Sequence, residues 1–336
     1  MMKAKHTALL FTLLLLAGCQ RATIPDVDTV EVVFSVLGED TRVTGTEGER
    51  AIDNWTLLLY KDGRLAEAGA SDSGSAIKKR LVTGDYTAFA VVNPPASFRA
   101  TDYPELNSLA GAESALRDNA PGRLVMAGSR TVSVPVPSGD TQQIGVDRLV
   151  CKACIRKISV QFANPVLAER PFLLKAVYLT NCYGKSRYGN DLQASDLLSD
   201  TSCWHNRMGF HSDVGVNGLL ADRDIDAALT AEMPHIQEHA FYFYPNPLSD
   251  AQDNRSGTWT RRHTRLVIEA QIDGRTYYYP VTLPASQRNR TYIIEEAVIR
   301  KLGSRDPEMD EPGAIDVTFS TMTDDWFPSY NVTETS

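Results

Sequence analysis

The chain has 336 residues, 43% of them hydrophobic, and a formal net charge of −8. That length is enough for two ordinary domains, each with its own core. The acidic balance argues against nucleic acid as a partner, because phosphate backbones are held by clustered Lys and Arg.

Lys3 and Lys5 open the chain, and Ala8 to Ala17 form an apolar run. The run is about half as long as a bilayer crossing requires, so residues 1–18 read as a signal peptide. It ends in Leu16-Ala17-Gly18-Cys19, which resembles a bacterial lipobox. That resemblance implies cleavage before Cys19 and lipidation of its sulfur. Buried acyl chains contribute about 0.8 kcal/mol per CH₂, so a multiply acylated cysteine holds a precursor on a membrane almost permanently. Gln20 stands where an inner-membrane retention signal prefers Asp, which favours the outer membrane or cell surface.

Beyond the leader the pattern is β. Val30, Val32, Phe34 and Val36 alternate with Glu31, Val33 and Ser35, which predicts a strand with one apolar face. A polar stretch from Glu39 to Arg50 follows. Trp55 to Tyr60 predicts a second strand, and Asp62-Gly63 a hairpin turn. Further strands are expected at Tyr86 to Val92 and around Val132 to Val136. Leu106 to Leu116 fits a short amphipathic helix. In the second half, strands are expected at Ile155 to Phe162, Phe172 to Leu179, Phe241 to Tyr244, Leu266 to Ile272, Tyr277 to Val281, Tyr292 to Ile299 and Ile315 to Phe319. Asp273-Gly274 marks a second hairpin. A polar insertion from about Asn181 to Glu238 interrupts them, with a helix expected at Leu219 to Glu232. Many short strands with regular turn signals predict an all-β chain of two tandem sandwiches meeting near residue 145.

Four cysteines remain after Cys19: Cys151, Cys154, Cys182 and Cys203. In an exported protein disulfides are the default. Cys182 and Cys203 bracket a polar loop and form a candidate disulfide, with pairings through Cys151 and Cys154 left open. The Cys151-Lys152-Ala153-Cys154 pair heads a strand rather than a helix, which weakens a thioredoxin-like reading. The irregular spacing lacks a second CxxC, so no metal is expected. His235 and His239 are four apart, but no Glu follows His235, so the zincin pattern fails and both read as structural. With no nucleophile elbow and no phosphate loop, the expectation is a protein that is not an enzyme and needs no cofactor.

One ordered set of segments carries a family resemblance. It comprises the lipobox, one strand, the loop Thr41 to Arg50, Leu81-Val82-Thr83-Gly84-Asp85-Tyr86, Tyr244-Pro245-Asn246, Thr264 to Ile268, Tyr277-Tyr278-Tyr279-Pro280, Arg288-Asn289-Arg290-Thr291-Tyr292, Gly303 to Pro307 and Asp325-Trp326. This order resembles the fimbrillin superfamily, the lipoprotein-derived type V pilins of Bacteroidales. The cysteine-bearing insertion departs from it. The resemblance implies two transthyretin-like β-sandwich domains with a few short helices, over 19–145 and 146–336. It also implies an arginine-specific protease that cuts in the loop after the first strand. Here the candidates are Arg42 and Arg50. The displaced strand is then Val30, Val32, Phe34 and Val36, and the donor from a neighbouring fimbrial subunit is Ile315, Val317 and Phe319. Strand addition of this kind draws affinity from main-chain hydrogen bonds and register from alternate side chains. Four inward residues would bury about 6–12 kcal/mol gross, at roughly 1.5–3 kcal/mol each, as an upper bound. The implied location is a surface fimbrium, with adhesion as the role.

The alternative is an outer-membrane-anchored lipoprotein that binds carbohydrate or a host ligand. Tyr277 to Tyr279, Trp204 and Trp259 would then form an aromatic sugar platform.

Overall fold

The computed structural model describes residues 29–37, 47–137, 139–199, 202–212, 216, 218–248 and 262–320. The signal peptide, Cys19, Arg42, Trp259 and Asp325-Trp326 lie outside the described residues.

Alternating apolar positions build the first half as strands β1 (Thr29–Leu37), β2 (Trp55–Lys61), β3 (Arg64–Ser71), β4 (Ile77–Val82), β5 (Gly84–Val92), β6 (Glu113–Ala115), β7 (Met126–Val134), β8 (Thr141–Gly145) and β9 (Asp147–Arg148). Helix α1 spans Leu106–Gly111, and a 3-10 turn spans Glu47–Arg50. A sheet in the order β4-β1-β8 packs on a sheet in the order β3-β2-β5-β7-β9. Their shared core holds Val32, Phe34, Trp55, Leu57, Leu59, Leu81 and Ile144, all within 2% of full burial. The run Leu57-Leu58-Leu59 is apolar on both faces for a reason. Leu57 and Leu59 point into this core, while Leu58 and Tyr60 point into a second core with Phe89 and Val91.

The second half runs through β10 (Cys151–Ile155), β11 (Ile158–Val160), β12 (Phe172–Thr180), β13 (Cys182–Tyr183), β14 (Lys185–Arg187), β15 (Trp204–His205), β16 (Ala221–Asp222), β17 (Ala227–Leu229), β18 (His239–Phe243), β19 (Arg265–Ile272), β20 (Arg275–Thr282), β21 (Thr291–Ile299) and β22 (Ile315–Ser320). Helices α2 (Pro165–Ala168) and α3 (Ala194–Ser199) are short. One sheet has β10 and β11 in succession beside β21, with β18 and β22 on the two sides. The other has β12 at its centre, with β19 and β20 on one side and β16 and β17 on the other. The two halves are joined by the small ladder β6–β14.

Both hairpin turns form as the sequence predicts. Asp62 and Gly63 have φ of 51° and 77°, and Asp273 and Gly274 have φ of 49° and 72°. Positive φ at both central residues is the type I′ geometry that matches strand twist. The all-β architecture with few short helices matches the alternation.

Three local expectations are corrected. Leu219 to Glu232 is not a helix; β16 and β17 edge β12 there. Asp224 and Asp226 have φ of 57° and 50°, a left-handed conformation that ends any helix through this segment. The amphipathic stretch from Leu106 is helical only to Gly111, and Glu113–Ala115 turns extended to pair with β14. Ile155 to Phe162 is two strands, broken at Arg156 and Lys157.

Candidate functional site

Strand β1 is the middle strand of its sheet. Val30 to Phe34 pair antiparallel with β4, Val30 opposite Leu81 and Phe34 opposite Ile77. Val33 to Leu37 pair parallel with β8, Val36 opposite Ile144. Val32 and Phe34 are fully buried, whereas Val30 and Val36 are half-buried. The expectation of four inward residues becomes two complete plugs and two flanking contacts. The two complete ones contribute about 3–6 kcal/mol gross, at roughly 1.5–3 kcal/mol each. The ion pair Glu31–Lys78 at 3.4 Å is solvent-exposed and adds little. Loss of β1 would uncover one edge of β4 and one of β8 at once, together with the floor of the core.

After β1, the next described element is the turn Glu47–Arg50. Glu49 is 1% exposed and sits where the two halves meet. Its carboxylate Oε1 accepts from Lys152 Nζ at 2.8 Å and from the Tyr242 hydroxyl. Its carbonyl accepts from Arg148 Nε at 2.8 Å. Arg148 also donates to Asn289 Oδ1 at 3.4 Å, and Asn289 Nδ2 donates to Asp147 Oδ1 at 3.0 Å. Burial, then the hydrogen bond to Glu49, pushes the Tyr242 phenol far up, so it stays a donor. A Cβ at Gly48 would lie 2.9 Å from Gly122 Cα, so backbone meets backbone there. Downstream, Ala51 N–H donates to Gly48 C=O at 3.3 Å. Buried Asn93 donates from Nδ2 to Ala51 C=O at 2.8 Å and accepts from Asp53 N–H at 3.0 Å. The backbone of Arg50 therefore lies inside a pinned turn, while Arg42 lies outside the described residues.

The C-terminal strand β22 pairs antiparallel with β21, Ile315 opposite Ile299 and Phe319 opposite Ile294. Ile315 and Val317 are half-buried, and Phe319 is 41% exposed. This strand has the alternation of a donor and lies on an outer side of its sheet.

These features sit on a shared architecture. No family model and no curated protein sequence matches the chain. Solved structures do. A candidate cell adhesion protein from Bacteroides eggerthii superposes with TM-score 0.64 at 16% identity, covering 87% of this chain and 95% of that one. A fimbrilin, FimA, from Porphyromonas gingivalis gives 0.56 at 15%, over 87% and 97%. The tip fimbrial protein Mfa3 from the same species, with a C-terminal truncation, gives 0.52 at 13%, over 87% and 99%. The fold is that of the fimbrillins. At these identities, what is shared is the architecture.

Within this fimbrillin fold, Cys182 lies opposite His205 in the β13–β15 ladder, and Gly184 N–H reaches Cys203 C=O at 2.6 Å. The two cysteines of the candidate disulfide are thus diagonal neighbours across the β13–β15 ladder, whose strands are joined through β14 and α3. Cys151 and Cys154 are buried thiols on β10. Burial pushes the Cys154 thiol up to about 12 and Cys151 higher still, the reverse of what a reactive thiolate needs.

The two histidines are more than surface residues. His239 is buried; its Nδ1 lies 2.7 Å from Asp222 Oδ2, and its Nε2 lies 2.8 Å from His235 Nε2. A single hydrogen fits between the two facing Nε2 atoms, so the chain of bonds requires one neutral ring. Burial, then the neighbouring His239, holds His235 below the usual imidazole value of 6.5. Burial, then Arg223, does the same for His211. The unfolded chain therefore binds more protons than the folded one just below pH 6.5, and stability falls as pH falls through that window. Thermal unfolding is expected at a lower temperature at pH 5.5 than at pH 7.5, with a smaller drop in His235→Gln. Equal drops in both proteins would remove His235 from this account.

Among the described residues the aromatic platform is not assembled. Tyr279 is buried in the second core and Tyr277 packs against it. Tyr278 points to the other face, edge-on to Phe210 at 6.0 Å. Trp204 is 3% exposed and edge-on to Tyr183 at 5.4 Å, in a separate cluster. A cavity of about 700 Å³ beside Trp204 is not lined by any of these three tyrosines. Alternation along β20 separates the tyrosines, which a sequence reading of three consecutive aromatics overlooks. Among the described residues no group of three metal-ligating side chains converges.

The residue that sequence reasoning missed is Glu49. It is one acid in a polar loop, and its partners lie 103 and 193 residues away.

Proposed function

We propose that this protein is a structural, non-catalytic subunit of a cell-surface fimbria, assembled by strand exchange after proteolysis. The observation that carries the reading is β1. It is a central strand, plugs the core with Val32 and Phe34, and is joined to the rest by a polar segment followed by a pinned turn. The fimbrillin fold supports a fimbrial role, since FimA and Mfa3 are fimbrial proteins by name.

In this reading Cys19 is lipidated and holds the precursor at the outer membrane. An arginine-specific protease cuts the loop after β1, at Arg42 or Arg50. The released strand leaves a groove between β4 and β8. A neighbouring subunit fills that groove with Ile315, Val317 and Phe319, which first leave the side of β21. The division into an N-terminal sandwich over 19–145 and a C-terminal one over 146–336 belongs to the same proposal, as does the Cys182–Cys203 disulfide. The ligand-binding alternative loses its main support with the scattered aromatics.

Expression of a chain ending at Ala314 in the native host tests the donor. Processed subunits should reach the surface, and negative-stain microscopy should show no filaments. Filaments of ordinary length would mean that the donor is another segment.

A further inference from the structure

We infer that Glu49 determines where processing occurs, by withholding the Arg50–Ala51 bond from arginine-specific proteases. The inference rests on the proposed processing step for its biological use, but not for its test.

A protease binds its substrate backbone extended on both sides of the bond it cuts, so accessibility must be judged from the burial and hydrogen bonding of that backbone. Around Arg50–Ala51, Gly48, Glu49, Ala51 and Asp53 are all engaged. Before the bond, Glu49 is 1% exposed and held through its carboxylate by Lys152 and Tyr242, and through its carbonyl by Arg148. Across the bond, Ala51 N–H closes the turn onto Gly48 C=O. After it, the carbonyl of Ala51 and the N–H of Asp53 are both taken by buried Asn93. Gly48 is pressed against Gly122, so the turn has no room to shift toward the first half.

The holding groups come from different parts of the fold: Arg148 from β9, Lys152 from β10 and Tyr242 from β18. Extending the chain at Arg50 therefore requires Glu49 to leave a buried site at the junction of both halves, leaving Lys152, itself 7% exposed, without that carboxylate. Cleavage of a transiently open segment follows the population of the open state. An uncompensated buried charge is among the costliest single defects, so that population is very small while Glu49 is in place. Cutting is thereby directed upstream of Glu47. The chain that remains keeps its clamp, and β2, which starts four residues after Ala51, keeps its anchorage when β1 departs.

The experiment uses the uncut chain extracted in detergent and a purified arginine-specific endoprotease, with product N-termini read by mass spectrometry. In the wild type, no product beginning at Ala51 should form while the protein is folded. Glu49→Gln should accelerate cleavage there by roughly a hundredfold, the size expected for leaving the buried Lys152 uncompensated. Cleavage after Arg130, which lies on β7 in the body of the sheet, should not change, which separates local opening from global unfolding. Tyr242→Phe removes one donor and keeps the ion pair. It should give a smaller increase at the same bond, and it carries the test if Glu49→Gln fails to fold. A wild-type product beginning at Ala51 overturns the inference. So does an Arg50–Ala51 bond that stays intact in both variants, because protection then has another source. Neither outcome depends on whether filaments form.

Discussion

Arg42→Ala is expected to leave a full-length, membrane-anchored monomer and to abolish filaments, and the variant with both Arg42→Ala and Arg50→Ala should behave the same way. The physical reason lies in what β1 does in the uncut chain. It closes its sheet on both sides, antiparallel to β4 and parallel to β8. A second strand cannot pair where β1 already pairs, so the precursor is closed to donors. Once β1 is severed from the body, its hold reduces to noncovalent burial, and an incoming strand of matching alternation competes for the same positions. An uncovered edge of this kind is otherwise a template for aggregation, so the proposed assembly requires timely filling. Pull-down of surface filaments, followed by immunoblotting for the uncut chain, reads the result. Filaments built from the Arg42→Ala chain with normal yield would show that cutting there is not the trigger. Filaments lost only in the double variant would move the cut to Arg50 and contradict the protective role of Glu49.

Phe34→Ala in the full-length precursor is expected to cost about 3–5 kcal/mol, the range for deleting a fully buried aromatic ring. Phe34 has no exposed surface and lies opposite Ile77, in a core that also holds Trp55 and Ile144. Domain stabilities run to about 5–15 kcal/mol, so this single change removes a large share of the stability of the half that contains it. Guanidinium unfolding of full-length protein, followed by tryptophan fluorescence to which Trp55 contributes from this core, measures it. Under the proposed processing the subunit would lack β1, and the same substitution should then leave no trace. A cost under about 1 kcal/mol in the precursor would mean that β1 lies on the core rather than filling it.

How much was legible depended on whether a residue's partners were near in sequence. Strand β1, the Asp62-Gly63 and Asp273-Gly274 hairpins, and β19 to β21 were readable because their signals are local: alternation, and residues that tolerate positive φ. Strands β3 and β4 gave no such signal. Strand β3 is largely exposed, so nothing selects for alternation along Arg64 to Ser71. In β4 only Ile77 and Leu81 are buried, and the position between them on the same face is a lysine, Lys79. The segment after Leu219 looked helical because its leucines pack inward, yet Leu219 and Leu220 do so from a loop, with Asp224 and Asp226 in the left-handed region beyond. At the candidate site, the plug residues of β1 were visible and the clamp was not. Glu49 has no local mark that separates it from Glu39 or Glu47; only the meeting of β9, β10 and β18 around it gives it a role.

The central claim is that the assembled subunit is the chain without β1. N-terminal sequencing of subunits recovered from surface filaments tests it most directly. The account predicts a chain that begins at Val43, after Arg42, and lacks Val30 to Val36. Filament subunits that begin at the acylated Cys19 and retain β1 would contradict it.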